Sequence, residues 1–177
     1  LVADIIVEVA RRQDLLLKKV GHGIFLMPEQ AFAYLVGLEI AKNREQLFGT
    51  KDINWHPETQ ITPETGITDQ TFQPLDDSTN GLVIEFKTRA TQESYLQDIR
   101  KLRKFHKNPD EQKYNTIFCA LVDTWPKDRE KDGRIKAVEA EHDVKRVKRG
   151  DRDLDFFATT NYGYSGQICR DRHGLWF

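Results

Sequence analysis

From Ala3 to Val20 the apolar residues Ile5, Ile6, Val9, Leu16 and Leu17 recur among charged ones at helical spacing, which predicts a helix closed at Gly21. Gly21-His22-Gly23 then breaks it. Pro28 suits a first helical position and Glu29 sits in the turn where a carboxylate complements the helix dipole, so a second helix opens there, with Phe32, Leu35, Val36 and Ile40 as its buried stripe. From Gly49 to Gly66 turn formers dominate, Pro57 and Pro63 among them, and one short strand is expected around Trp55 or Thr59 to Thr62. Two strand-like runs follow, Ile67 to Gln73 and Leu82 to Thr88, joined by Pro74-Leu75-Asp76-Asp77-Ser78-Thr79-Asn80-Gly81. That linker is dense in turn formers, and the pair reads as a hairpin.

A helix over Thr91 to His106 comes next, and Tyr114 to Asp123 then offers an apolar run, Ile117 to Val122, of the kind expected of a strand buried on both faces. Strand, helix, strand implies a parallel pair with a right-handed crossover. Beyond Trp125 the chain is strongly charged through Asp151, after which Leu154 to Thr159 reads as another strand. No repeat, low-complexity tract or long linker divides the chain. At 177 residues it fits one domain with one core.

Composition narrows the class. With 38% hydrophobic and 31% charged residues the chain is globular with a charged surface. No run approaches the roughly 20 apolar residues that span a bilayer, and no signal-peptide order is visible, so a cytoplasmic protein without a membrane partner is expected. Leu1 stands where a methionine would start a complete chain, and the end at Leu175-Trp176-Phe177 is apolar, both in keeping with a piece of a longer protein. Cys119 and Cys169 cannot build a disulfide framework, and the five histidines lack metal-ligand spacing, which argues against zinc. A net charge of −1 gives no bulk attraction for a polyanion, so nucleic acid would need a local basic patch.

The strand Leu82 to Thr88 carries the chemistry. Its period of two puts Leu82, Ile84 and Phe86 on one face and Val83, Glu85 and Lys87 on the other. If the hairpin is symmetric about Asp77, Asp69 falls opposite Glu85. Opposed like charges destabilise a ladder, and a bound cation would reverse the sign. Magnesium-type ions take one or two carboxylates, waters and substrate phosphate, so this set suits phosphodiester hydrolysis, with Lys87 offsetting charge on the phosphate or helping to deprotonate a water. Gln92 heads the stripe Tyr95, Leu96 and Ile99 on the next helix and is expected to face the end of the Glu85 strand. Arg100, Lys101, Lys104 and Lys107 lie on the other face, a patch suited to backbone phosphates.

Helix-borne Glu29, then Asp69, then Glu85-Phe86-Lys87, then helix-borne Gln92 resembles the P-D-(D/E)-x-K phosphodiesterase superfamily of restriction endonucleases, junction resolvases and recombination nucleases. The resemblance covers roughly residues 28–123. It implies an α/β fold with a restriction-endonuclease-like αβββαβ core, a mixed sheet flanked by helices. It also implies Asp69 and Glu85 as metal ligands with the Phe86 backbone carbonyl, Lys87 as catalytic lysine, and Glu29 as an auxiliary acid that binds metal or orients water. Thr68 replaces the usual proline, and Tyr95 follows Gln92 by three residues where the recombination-nuclease branch has four, which argues against that branch.

The expected function is therefore a Mg2+-dependent DNA endonuclease of restriction or defence type, with Mn2+ as substitute and DNA favoured over RNA. Glu29, Asp69, Glu85, Lys87 and Gln92 are its site, and Arg89, Arg100, Lys101 and Lys104 its nucleic-acid contacts. Double-strand cutting commonly pairs two such sites, so a homodimer is compatible. Rivals are an inactive nucleic-acid-binding module on the same fold and a structural interaction protein. Glu39 competes with Glu29, Asp76 and Asp77 read as turn residues, and Lys145 to Arg149 is a charge run that is more often solvated than bound to phosphate.

Overall fold

The computed structural model describes residues 1–61, 63, 66–88, 90–105, 113–123, 133–134, 136–137, 145–148, 155–158, 164–167 and 175–176. Helix α1 spans Val2–Lys18 and ends where Gly21 takes a left-handed φ of 77°. It buries Ala3, Ile6, Val7, Val9 and Ala10, whereas Leu16 is exposed. Buried Asp14 accepts the Ile24 N–H at 3.2 Å and pairs with Lys18, fixing the 3-10 turn Ile24–Leu26 that leads to the second helix. That helix, α2 (Glu29–Lys42), has Pro28 as its N-cap and buries Phe32, Val36 and Ile40. The five-residue α3 (Arg44–Phe48) follows and closes at Gly49.

Strands β1 (Ile53–Gln60), β2 (Ile67–Pro74), β3 (Gly81–Thr88) and β4 (Tyr114–Asp123) line up in chain order. The first two pairings are antiparallel and β3–β4 is parallel, with α4 (Gln92–Phe105) as the crossover. The architecture is mixed α/β, a mixed sheet with these four as its main strands, flanked by helices. Strand β1 is longer than the sequence suggested and contains Pro57, which an edge strand tolerates because no ladder bond on its outer side is lost. Short strands continue beyond: β5 (Lys145–Lys148) pairs with β6 (Asp155–Ala158), β7 (Tyr164–Gln167) runs parallel to β4, and β8 (Leu175–Trp176) pairs with its end. Among the described residues no helix is long and apolar enough to cross a membrane.

The period of two on β3 divides the core as expected. Leu82, Ile84 and Phe86 pack with α1 and α2, while Val83 packs with Tyr95, Ile99 and Leu102 of α4. Phe86 meets Phe32 edge to face at 5.7 Å, which anchors β3 to α2 beneath the polar residues. Gly37 lets α2 lie close on the sheet, since a Cβ there would stand 2.5 Å from the Trp55 ring.

Candidate functional site

The β2–β3 ladder pairs Phe72 with Leu82, Thr71 with Val83 and Gln70 with Ile84. The next step of that register sets Asp69 opposite Glu85, the placement read from the symmetry of the loop. No backbone pair forms there. Instead Asp69 Oδ2 accepts the Phe86 N–H at 2.6 Å, and Glu29 Oε2 accepts the Thr88 N–H at 2.5 Å. Residues of equal parity on a strand turn their backbone groups to the same neighbour. Two carboxylates thus replace the strand partner that β3 loses as β2 departs, and each spends one oxygen on the task. The Phe86 carbonyl points to the same side as its N–H, toward Asp69.

Charges from α4 complete the cluster. Lys87 Nζ lies 2.9 Å from Asp98 Oδ2 and 3.6 Å from Glu29 Oε1. Lys101 Nζ lies 2.6 Å from Glu85 Oε1 and also donates to the Ile67 carbonyl. The carboxylate oxygens Glu85 Oε1 and Asp98 Oδ2 are fully buried, and their contacts are ion pairs by distance rather than aligned hydrogen bonds. Glu85 is only 3% exposed.

Burial, and then the charge of Asp69, pushes the Glu85 carboxyl up from 4.5 to about 8, against the pull of Lys101. Burial also raises Asp69, opposed by the Phe86 amide and reinforced by Glu29. For Lys87 burial favours the neutral amine, but the close contact and charge of Asp98, with Glu29 and Asp69, outweigh it and hold the ammonium above its usual range. Four carboxylates, Glu29, Asp69, Glu85 and Asp98, therefore surround two ammoniums. Ionised together they leave two negative charges uncompensated, and a proton on Glu85 relieves only one.

Among the described residues no three Asp, Glu, His or Cys side chains close tightly enough to cage an ion alone. A magnesium-type ion that keeps its waters needs only one or two carboxylates. Asp69 and Glu85 supply two carboxylates in this cluster, where the negative charge exceeds the positive. Glu29 and Asp69 also line a cleft of about 250 Å³ with Gln30, Ala33, Tyr34 and Glu58. Glu58, across β1–β2 from Asp69, has a left-handed φ of 48°, a conformation that costs a non-glycine residue about 1–2 kcal/mol. A larger cavity of about 560 Å³ lies at the other end of β3 and β4 and has no ionisable side chain in its wall.

Glu29, Asp69, Glu85, Lys87 and the Phe86 backbone thus meet at one end of β3. Glu39, the rival to Glu29, is instead paired with Arg12 and Lys42. Gln92 does not take the buried place expected of it; it is exposed at the first residue of α4, beside Gly133. Lys101 departs from the outward basic face and turns into the cluster, while Arg100 is exposed and pairs with Glu93. Lys104 lies on α4, and Arg89 and Lys107 lie outside the described residues.

Asp98 was not singled out from the sequence, and Lys101 was singled out only as a nucleic-acid contact, not as a partner of Glu85. At about 100° per residue, Gln92 and Asp98 flank Tyr95 by roughly 60° on opposite sides of the apolar stripe. An acid inside the stripe's arc was the available signal. No protein-family model, curated protein or solved structure matches the chain.

Proposed function

We propose that this chain is a divalent-cation-dependent phosphodiesterase that cuts nucleic acid, DNA in preference to RNA, on a restriction-endonuclease-like αβββαβ core. One observation carries the reading: Asp69, Glu85, Lys87 and Glu29, distant in sequence, gather at the end of β3 with a surplus of negative charge. Asp69, Glu85 and the Phe86 carbonyl would hold Mg2+, or Mn2+ in its place; the ion, when bound, supplies Lewis acidity toward a phosphodiester and activates water.

The protein's own groups divide the remaining work. Lys87, kept protonated by Asp98, acts as a fixed positive charge toward the phosphate rather than as a base. Glu29 is steadied by the Thr88 amide through Oε2, and its Oε1 is the oxygen placed to orient or deprotonate the attacking water. Arg100, exposed on α4, is available to a backbone phosphate. Gln92 has no part in this scheme.

The test is cleavage of a DNA duplex with and without Mg2+ or Mn2+. Lys87→Ala and Asp69→Asn, each with an unaltered circular dichroism spectrum, are expected to lose about a hundredfold or more of the rate. Cleavage that ignores the cation, or that survives in both variants, overturns the assignment. DNA binding with no cleavage by the parent protein would mark the inactive binding module instead.

A further inference from the structure

Glu85 and Lys87 stand two residues apart on one face of β3, and α4 meets them with the opposite charges in reverse order. Lys101 faces Glu85 and Asp98 faces Lys87. Two strand residues advance about 6.6 Å and three helical residues about 4.5 Å, so an α4 running back along β3 satisfies both pairs at once.

The two pairs are not equivalent. Asp98 shares Lys87 with Glu29, and that ammonium is needed where it is. Lys101, by contrast, reaches Glu85 and the carbonyl of Ile67, the first residue of β2. It therefore lies across the gap where the β2–β3 ladder has ended. Asp69 and Glu85 face the same gap. The Lys101 side chain is 22% exposed and does not belong to the Tyr95, Ile99 and Leu102 stripe, so it can swing outward without unpacking the helix.

We propose that Lys101 is the resident cation of the acid cluster, neutralising Glu85 until a divalent ion takes that carboxylate and turns the ammonium out toward solvent. The inference rests on the reading of Asp69 and Glu85 as cation ligands. A divalent ion attracts both carboxylates with twice the charge, and its repulsion of a neighbouring ammonium drives the exchange. The lysine keeps the acids gathered while no ion is bound and delays occupancy until the ion is abundant. Once displaced, it stands on the same helix as Arg100, at the margin of the site.

The experiment is a calorimetric titration of Mn2+ into the full chain at mildly alkaline pH, comparing the parent, Lys101→Met and, as a surface control, Lys113→Met. Lys101→Met keeps the aliphatic stem and removes the charge; it is expected to bind Mn2+ on the order of tenfold more tightly, while the control is unchanged. A folded Lys101→Met protein with equal or weaker Mn2+ affinity overturns the proposal and leaves the cation site standing. No Mn2+ binding by either the parent or Lys101→Met removes the site itself, and with it the phosphodiesterase reading. If Lys101→Met does not fold, amine acylation of the parent decides, read at Lys101 by mass spectrometry. Labelling should rise several-fold when Mn2+ saturates the protein, and a Lys101 equally protected with and without bound Mn2+ refutes the exchange.

Discussion

Replacing Glu85 by glutamine gives the most informative test of the electrostatics. In the folded protein the Glu85 carboxyl titrates at about 8, against 4.5 for an unperturbed glutamate. Between those values the folded state holds a proton that the unfolded chain has released. Stability therefore falls as pH rises from about 4.5 to about 8, and levels off above. At about 1.4 kcal/mol per unit the gap sets a ceiling of about 5 kcal/mol, and relaxation of so coupled a cluster should leave about half of it. Burial of Asp69 adds a slope of the same sign at the acidic end of the window. Urea unfolding of the cation-free protein, followed by circular dichroism across this range, measures the slope. The parent should lose a few kcal/mol between pH 5 and pH 8, and Glu85→Gln, which has nothing to titrate, should lose much less. A parent whose stability is flat over the window, or a Glu85→Gln variant with the parent's slope, would refute the reasoning.

Other perturbations test separate links. Gly37→Ala gains about 1 kcal/mol of helix propensity but sets a methyl against Trp55 and Gln70, so a net loss of about 1–2 kcal/mol is expected in thermal unfolding. Thr68→Val removes a buried hydroxyl that donates to the Thr59 carbonyl at 2.9 Å and meets the Thr71 hydroxyl at 2.7 Å; about 1–2 kcal/mol should be lost in urea titrations. Asp98→Asn takes away the main group that raises Lys87, so the alkaline limb of the cleavage rate should move to lower pH, as read from a pH–rate profile. An unmoved limb would separate Lys87 from the chemistry.

Much of the architecture was legible because periodicity and burial agree. Helices α1, α2 and α4 and strands β2 to β4 sit where the apolar spacing put them, and loop symmetry about Asp77 gave the Asp69–Glu85 register. Strand β1 was shortened in the reading by Pro57, a residue that speaks against strands in general but not at an edge. Leu16 contributed to the helical spacing of α1 but is exposed, because tertiary packing buries Ala3, Val7 and Ala10 instead.

The grouping of the candidate residues was legible on β3 and less so on α4. Alternation decides which face of a strand a residue occupies, so Glu85 and Lys87 could be placed together. A helix offers two flanks beside its apolar stripe, and only the packed structure shows that the Asp98 flank, not that of Gln92, turns to β3. The same ambiguity sent Lys101 to the outward patch when its ammonium in fact closes on Glu85. Thr68 proves to carry a buried hydroxyl bonded to β1, a role that no local pattern announces.

Crystals soaked in Mn2+ and measured for anomalous scattering examine the central claim directly. The account predicts a peak at the end of β3 within about 2.0–2.3 Å of one oxygen each from Asp69 and Glu85. Saturating Mn2+ with no peak between those carboxylates, or a peak only at a different surface, would contradict it.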